Sequence, residues 1–153
     1  MKRNLKEIAK DSQNVNNVNQ ECGMRKNKIM IIDDEFGAVN LLKHRLECEG
    51  YQVLTLSDAK GVISELHSFV PDMIILDLLM PEYGGLDVCA MLNKDPIGLN
   101  TPVIVVSGLN NDVDKKKAYG LGVGGYFVKP VDIDVLLAAI KKHIKNKYNE
   151  SGN

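Results

Sequence analysis

Three carboxylates, a hydroxyl and an amine stand where apolar runs of this chain end. Asp33 and Asp34 follow Ile29-Met30-Ile31-Ile32, Asp77 follows Met73-Ile74-Ile75-Leu76, Ser107 follows Val103-Ile104-Val105-Val106, and Lys129 follows Tyr126-Phe127-Val128. If those runs are parallel strands of one sheet, all five groups gather at its carboxyl edge, the crevice where open α/β sheets bind ligands. Carboxylates crowded there repel one another unless a cation lies among them, and a hard divalent ion with oxygen ligands suits them best. We therefore expect a Mg²⁺ site at Asp33, Asp34 and Asp77. Such an ion keeps positions open for phosphate oxygens, while Lys129 adds a mobile point charge and Ser107 a hydroxyl donor. Asp77 is then the nucleophile, a carboxylate that takes up a phosphoryl group as an acyl phosphate. Catalysis of such a transfer is mostly alignment and charge neutralisation.

The elements that must position these groups can be read from periodicity. Strands are expected near 28–33, 51–57, 73–77, 102–107 and 126–128, alternating with helical patterns, the signature of repeated βα units. Phe36, Val39, Leu42 and Leu46 recur at helical spacing up to Gly50, and Val62, Ile63, Leu66 and Phe69 do so before Pro71. Val88, Met91 and Leu92 mark a third helix ending at Asp95-Pro96, and Val113, Ala118 and Leu121 a short fourth. The last begins at an Asp132 cap and runs through Val135, Leu136, Ala139, Ile140 and Ile144, with Lys141, Lys142 and Lys145 facing water. Right-handed crossovers then favour a doubly wound (βα)5 parallel sheet of the flavodoxin-like kind, with strand order 2-1-3-4-5. Its switch point falls between the strands that end in Asp33-Asp34 and Asp77.

At 153 residues the chain is long enough for one substantial domain and short for two. A formal net charge of −1 gives no reason to expect nucleic acid held by bulk charge. No stretch approaches a membrane span, and the polar N-terminus does not read as a secretory signal, so a cytoplasmic protein is expected. Residues 1–26 are rich in Asn, Gln and Lys and read as a flexible polar extension, residues 27–148 as the folded domain, and 149–153 as a disordered tail. Cys22, Cys48 and Cys89 fit neither a disulfide framework nor a zinc spacing.

Over about residues 28–147 the sequence resembles the receiver domain of two-component response regulators. The resemblance rests on Asp33-Asp34-Glu35, Asp77-Leu78-Leu79-Met80-Pro81, Ser107-Gly108 and Tyr126-Phe127-Val128-Lys129-Pro130. It implies that a phosphohistidine on a sensor histidine kinase or a histidine phosphotransfer protein donates its phosphoryl group to Asp77. Asp34, Asp77 and the main-chain carbonyl of Leu79 would ligate Mg²⁺, with Asp33 helping directly or through water. It further implies a cis bond between Lys129 and Pro130, and a switch in which Ser107 swings toward the phosphate and Tyr126 turns inward. That switch would reshape the surface of the fourth predicted helix, fifth strand and last helix for a downstream effector protein. The protein would be a phosphoacceptor assisting its own reactions rather than an enzyme, either monomeric or a weak phosphorylation-dependent dimer. Gly124 and Gly125 replace residues that are often acidic in the family, from which a looser loop is expected.

Other readings compete. A haloacid-dehalogenase-type phosphatase uses the same groups, but its nucleophile lies in a DxD motif after the first strand, and adjacent Asp33-Asp34 cannot fill both roles. No output domain follows Lys147 in this sequence, so a stand-alone relay or chemotaxis-type receiver is expected; a fragment of a larger regulator would read the same. The stretch from Gly120 to Gly125 matches GxGxxG but follows a helix and precedes a strand, the reverse of a dinucleotide site. His44, His67 and His143 read as solvent-facing helix residues, and Lys115-Lys116-Lys117 as a solvated face.

Overall fold

A computed structural model describes residues 25–150 of the chain. Most of the expected extension and tail, and Cys22, lie outside the described residues. Five strands, β1 (Lys28–Ile32), β2 (Gln52–Leu56), β3 (Met73–Leu76), β4 (Val103–Ser107) and β5 (Gly125–Val128), form one parallel sheet in the order β2-β1-β3-β4-β5. The helices between and after them are α1 (Phe36–Cys48), α2 (Val62–Phe69), α3 (Gly85–Asn93), α4 (Pro96–Leu99), α5 (Asp112–Gly120) and α6 (Ile133–Glu150). This is the doubly wound, flavodoxin-like architecture expected from the alternation.

The apolar runs are continuous because the central strands are covered on both faces. On one face Met30, Ile32, Ile74, Leu76 and Val105 pack under α2, α3 and α5 through Val62, Leu66, Val88, Leu92 and Ala118. On the other, Ile29, Ile31, Ile75, Ile104 and Val106 pack under α1 and α6 through Val39, Leu46, Leu136, Ile140 and Ile144. Ile32 stands opposite Leu76, and Leu76 opposite Val105, so the central strands finish nearly level. Asp132 Oδ1 accepts from the N–H groups of Asp134 and Val135 and caps α6 as anticipated.

The structure corrects several expectations. Phe36, Val113 and Val135 were placed on core-facing stripes, yet they are 79%, 61% and 54% exposed. Phe36 and Val113 stand in the first turns of α1 and α5, whereas Val135 falls off the core-facing side of α6, which Ile133, Leu136, Leu137, Ile140 and Ile144 form. Asp95-Pro96 does more than stop α3. Asp95 Oδ1 accepts from the N–H groups of Ile97 and Gly98, and Pro96 opens α4, a position where its missing N–H costs nothing. Nor do Gly124 and Gly125 stand free in a loose loop. A Cβ at 124 would lie 2.9 Å from His143 Cε1, so the His143 ring occupies the space that a side chain would take.

Candidate functional site

The strand ladders run past the strand ends into the site. The Asp33 N–H donates to Leu56 O at 3.0 Å, the Asp77 N–H to Ile32 O at 2.9 Å, and the Lys129 N–H to Ser107 O at 2.8 Å. Three of the chemistry-bearing residues are thus held by backbone bonds to neighbouring strands rather than hanging on loops. After Asp77 the chain turns so tightly that the start of α3 presses on it. A Cβ at Gly85 would sit 2.4 Å from Asp77 O and 2.6 Å from Leu78 Cα, so only glycine allows this approach.

The anticipated site residues divide into a tight cluster and a flank. Carboxylate oxygens of Asp33, Asp34 and Asp77 all lie within 4.8 Å of one another. Lys129 Nζ donates to Asp33 Oδ2 at 2.8 Å and to Asp77 Oδ2 at 3.1 Å. Asp77 is buried at 5% exposure, while Asp34 is open to solvent. The second Asp77 oxygen, Oδ1, accepts the Leu79 N–H at 3.0 Å. The cluster borders a cleft of about 250 Å³ lined by Asp33, Asp34, Phe36, Asn40, Thr55 and Ser57. Asp33 and Asp34 are therefore reached from solvent.

Ser107 and Tyr126 form the flank. Ser107 is fully buried, and its Oγ accepts the Leu109 N–H at 3.3 Å. Tyr126 is half-buried and donates from its hydroxyl to Leu109 O at 2.8 Å. The Lys115 ammonium lies 5.8 Å from the centre of the Tyr126 ring. Lys115 thus meets a residue of the flank as well as solvent. The Lys129-Pro130 bond is cis, as the resemblance implied.

One residue of the site escaped sequence reasoning. Glu35 Oε2 accepts from Lys129 Nζ at 3.1 Å, so the ammonium touches three carboxylates. Its signal was the third acid of the run after β1, which the strand-end argument did not reach. His67 is an exposed helix residue as expected, and its Nε2 also lies 2.6 Å from Asp95 Oδ2, a pair joining α2 to the cap of α4.

Electrostatics follow from this packing. Burial works to lower the Lys129 pKa, but its hydrogen bonds to Asp33, Asp77 and Glu35 prevail and hold it well above the usual lysine range. Burial raises the Asp33 carboxyl, against the lowering influence of Lys129 and the Glu35 N–H. Burial likewise raises the Tyr126 phenol, with Asp114 adding to it. At neutral pH the ammonium is charged and only partly offsets four acids. Three oxygen-bearing, hard ligands with excess negative charge are what a small divalent cation requires, and Asp33, Asp34 and Asp77 fit one.

Residues 29–141 match the family model of the response regulator receiver domain. The chain belongs to that family. Among curated relatives, the receiver is 32% identical over 114 residues to the alkaline phosphatase synthesis transcriptional regulatory protein PhoP of Bacillus subtilis, covering 74% of this chain and 47% of that protein. It is 35% identical over 116 residues to the probable transcriptional regulator ycf27 of Guillardia theta, covering 76% and 44%. The chain thus spans about half the length of the curated relatives it matches. Among solved structures, the CheY-like receiver domain protein of Methanospirillum hungatei superposes with a TM-score of 0.77 at 23% identity, over 82% of this chain and 99% of the other. The signal receiver domain of a signal transduction histidine kinase from Syntrophus aciditrophicus does so with a TM-score of 0.72 at 30% identity, over 78% and 91%. The receiver family places this chain in two-component, phosphorylation-dependent signalling. No helix among the described residues is long and apolar enough to cross a membrane.

Proposed function

We propose that Asp77 is the phosphoryl acceptor of this receiver and that a phosphohistidine on a sensor histidine kinase or a histidine phosphotransfer protein is the donor. The observation that carries this reading is the single ammonium of Lys129 bonded to both Asp33 Oδ2 and Asp77 Oδ2. It gathers the strand-end acids and a cation around Asp77, a nearly buried carboxylate beside Asp33 and Asp34, which themselves border a cleft. In the transfer the P–N bond of the donor breaks as a P–O bond to Asp77 forms, and the electron pair leaves on the imidazole nitrogen. Asp33, Asp34 and Asp77, with the main-chain oxygen of Leu79, would hold Mg²⁺, which when bound neutralises charge on the transferring phosphoryl group. Lys129 supplies a second positive contact, and the Ser107 hydroxyl a donor on the opposite side.

Output follows from the flank. Ser107 moving toward the phosphoryl group breaks its contact with Leu109 N, and Tyr126, bonded to the same loop, follows. The surface of α5, β5 and α6 then changes for a cytoplasmic effector protein. The chain acts as a phosphoacceptor that assists its own phosphorylation and dephosphorylation, not as a turnover enzyme. The curated relatives are named as transcriptional regulators and are about twice as long as the matched stretch. This favours a second reading in which the same switch is the input half of a longer regulator.

Incubation with acetyl phosphate and Mg²⁺ tests the acceptor. One phosphoryl mass should appear on the intact protein and none on Asp77→Asn. An adduct of equal yield on the variant, or multiple turnover of a general phosphate ester by the wild type, would overturn the reading.

A further inference from the structure

Lys129 cannot serve a phosphoryl group as it stands. An ammonium has three N–H donors. Here they meet Asp33 Oδ2 at 2.8 Å, Glu35 Oε2 at 3.1 Å and Asp77 Oδ2 at 3.1 Å. Each donor has its carboxylate, so one contact must break before Lys129 can hold an oxygen on phosphorus.

The three contacts are unequal in what breaking them costs. The Asp33 and Asp77 side chains are 10% and 6% exposed, and as the phosphoryl group approaches, while Asp77 is still a carboxylate, leaving either charge buried without a partner is expensive. The Glu35 side chain is 62% exposed, so water takes over its carboxylate when the ammonium leaves. Their anchorage differs as well. Asp33 and Asp77 have N–H groups fixed by ladder bonds to Leu56 and Ile32. The Glu35 N–H bonds only locally, to Asp33 Oδ1 at 2.9 Å, on the residue that precedes α1.

We propose that Glu35 is a positioning residue that occupies Lys129 in the unphosphorylated protein and is the partner released when Lys129 turns to the phosphoryl group on Asp77. This rests on the reading of Asp77 as acceptor. Glu35 thereby sets how readily the site takes up phosphorus, by holding its one ammonium in reserve through a contact that solvent can replace. The residue acts through Lys129 and touches no reactant.

The test separates a tether from a mere local charge, and both from the acceptor assignment. Glu35→Gln keeps the length and removes the charge; Glu35→Asp keeps the charge and is one methylene too short for the contact. The first measurement needs no phosphorylation: labelling of Lys129 by an amine-acylating reagent, read by peptide mass spectrometry without metal. Both variants should label about two- to fivefold faster than wild type, the range that loss of an exposed ion pair supports. The second measurement is the rate of adduct formation with acetyl phosphate and Mg²⁺, in which both variants should be faster by a similar factor. If Glu35→Asp stays at the wild-type rate in both assays while Glu35→Gln speeds up, charge alone is responsible and the tether is wrong. Unchanged labelling in both variants also overturns it. Absence of any adduct on the wild-type protein, with labelling accelerated as expected, would refute the acceptor assignment while leaving the tether standing.

Discussion

Lys129 Nζ lies 3.1 Å from Asp77 Oδ2 although 52 residues separate the two in the chain. The contact exists because β3 and β5 flank β4, and because the ladder continues one bond past the ends of β3 and β5. A short, irregular loop could not hold a lysine to a carboxylate across two strands. The contact also offsets part of the repulsion among acids that would otherwise destabilise the carboxyl edge of the sheet.

Removal of that ammonium should therefore cost stability as well as chemistry. Lys129→Ala leaves Asp33 and Asp77 largely buried without their cation. A loss of about 2 kcal/mol is expected, less than the roughly 3–5 kcal/mol of a fully buried broken pair because the cleft admits water. Urea unfolding with and without millimolar Mg²⁺ reads this. Added metal should recover more stability in the variant than in the wild type, since a bound cation replaces the missing charge.

Gly85 makes a second prediction. A methyl group there meets the backbone of Asp77 and Leu78 at 2.4 and 2.6 Å, with no flexible atom to give way. Gly85→Ala should cost on the order of 2–3 kcal/mol and displace Asp77, slowing adduct formation. Gly37, in the first turn of α1, has nothing within 4 Å of the same added atom. Gly37→Ala should instead gain about 0.5 kcal/mol from helix propensity. Thermal denaturation of the two variants side by side decides it; equal effects would contradict the packing described at Gly85.

The strand ends were legible because in a parallel sheet buried on both faces the apolar run and the strand coincide to within a residue. Ile32 and Leu76 are the last residues of their strands, and the acids come next. Asp33, Asp34, Asp77 and Lys129 could thus be brought together by topology alone. What was not legible depends on contacts between elements that no period reports. Glu35 meets Lys129 from 94 residues away, and His67 meets Asp95 from 28. Phe36 has the right spacing for a core face but overhangs the sheet, because periodicity fixes the side of a helix and not where the sheet beneath it ends. Gly124 was read for backbone freedom, when the His143 ring beside it supplies a packing reason.

Tyr126 ties strand β5 to the loop after β4. Its hydroxyl bond to Leu109 O, at 2.8 Å, is half-buried, so Tyr126→Phe should cost about 0.5–1.5 kcal/mol. If this bond belongs to the switch, the loss is local: amide exchange at Leu109 and the residues that follow should quicken while β1 and β3 stay protected. Exchange that rises uniformly across the sheet would mean that Tyr126 serves only the core.

The His67–Asp95 pair predicts an acid-side dependence of stability. The Asp95 carboxyl is held below the usual range, first by its hydrogen bond to His67, which outweighs the opposing effect of burial, with the N–H groups of Gly98 and Ile97 adding to the lowering. Its pKa is lower folded than unfolded, so the unfolded chain binds the proton more readily in acid. The contribution is fully present above the unfolded value of about 4 and disappears as pH falls through the folded value. Asp95→Asn keeps a capping oxygen and removes the charge. Its melting temperature should lie below that of the wild type at pH 6, and the difference should close toward pH 3.

With Asp77 as the acceptor, Leu79 should set how long the acyl phosphate survives. It follows Asp77 by two residues, is 51% exposed, and its Cδ1 would lie 3.9 Å from a Cβ on Gly108, so it roofs the gap between the loops after β3 and β4. Leu109, the corresponding residue after Ser107, instead packs against the core beneath α2, α3 and α5. Attack on the acyl phosphate requires a water aligned behind phosphorus, and an apolar side chain over the site neither hydrogen-bonds that water nor leaves it room. Leu79→Asn supplies an amide that can orient it. After removal of the donor, phosphate loss should be several-fold faster, in line with the roughly 1 kcal/mol of a single hydrogen bond. Leu109→Asn should alter stability more than lifetime. Equal lifetimes for Leu79→Asn and wild type would show that Leu79 is cover for the loop and takes no part in excluding water.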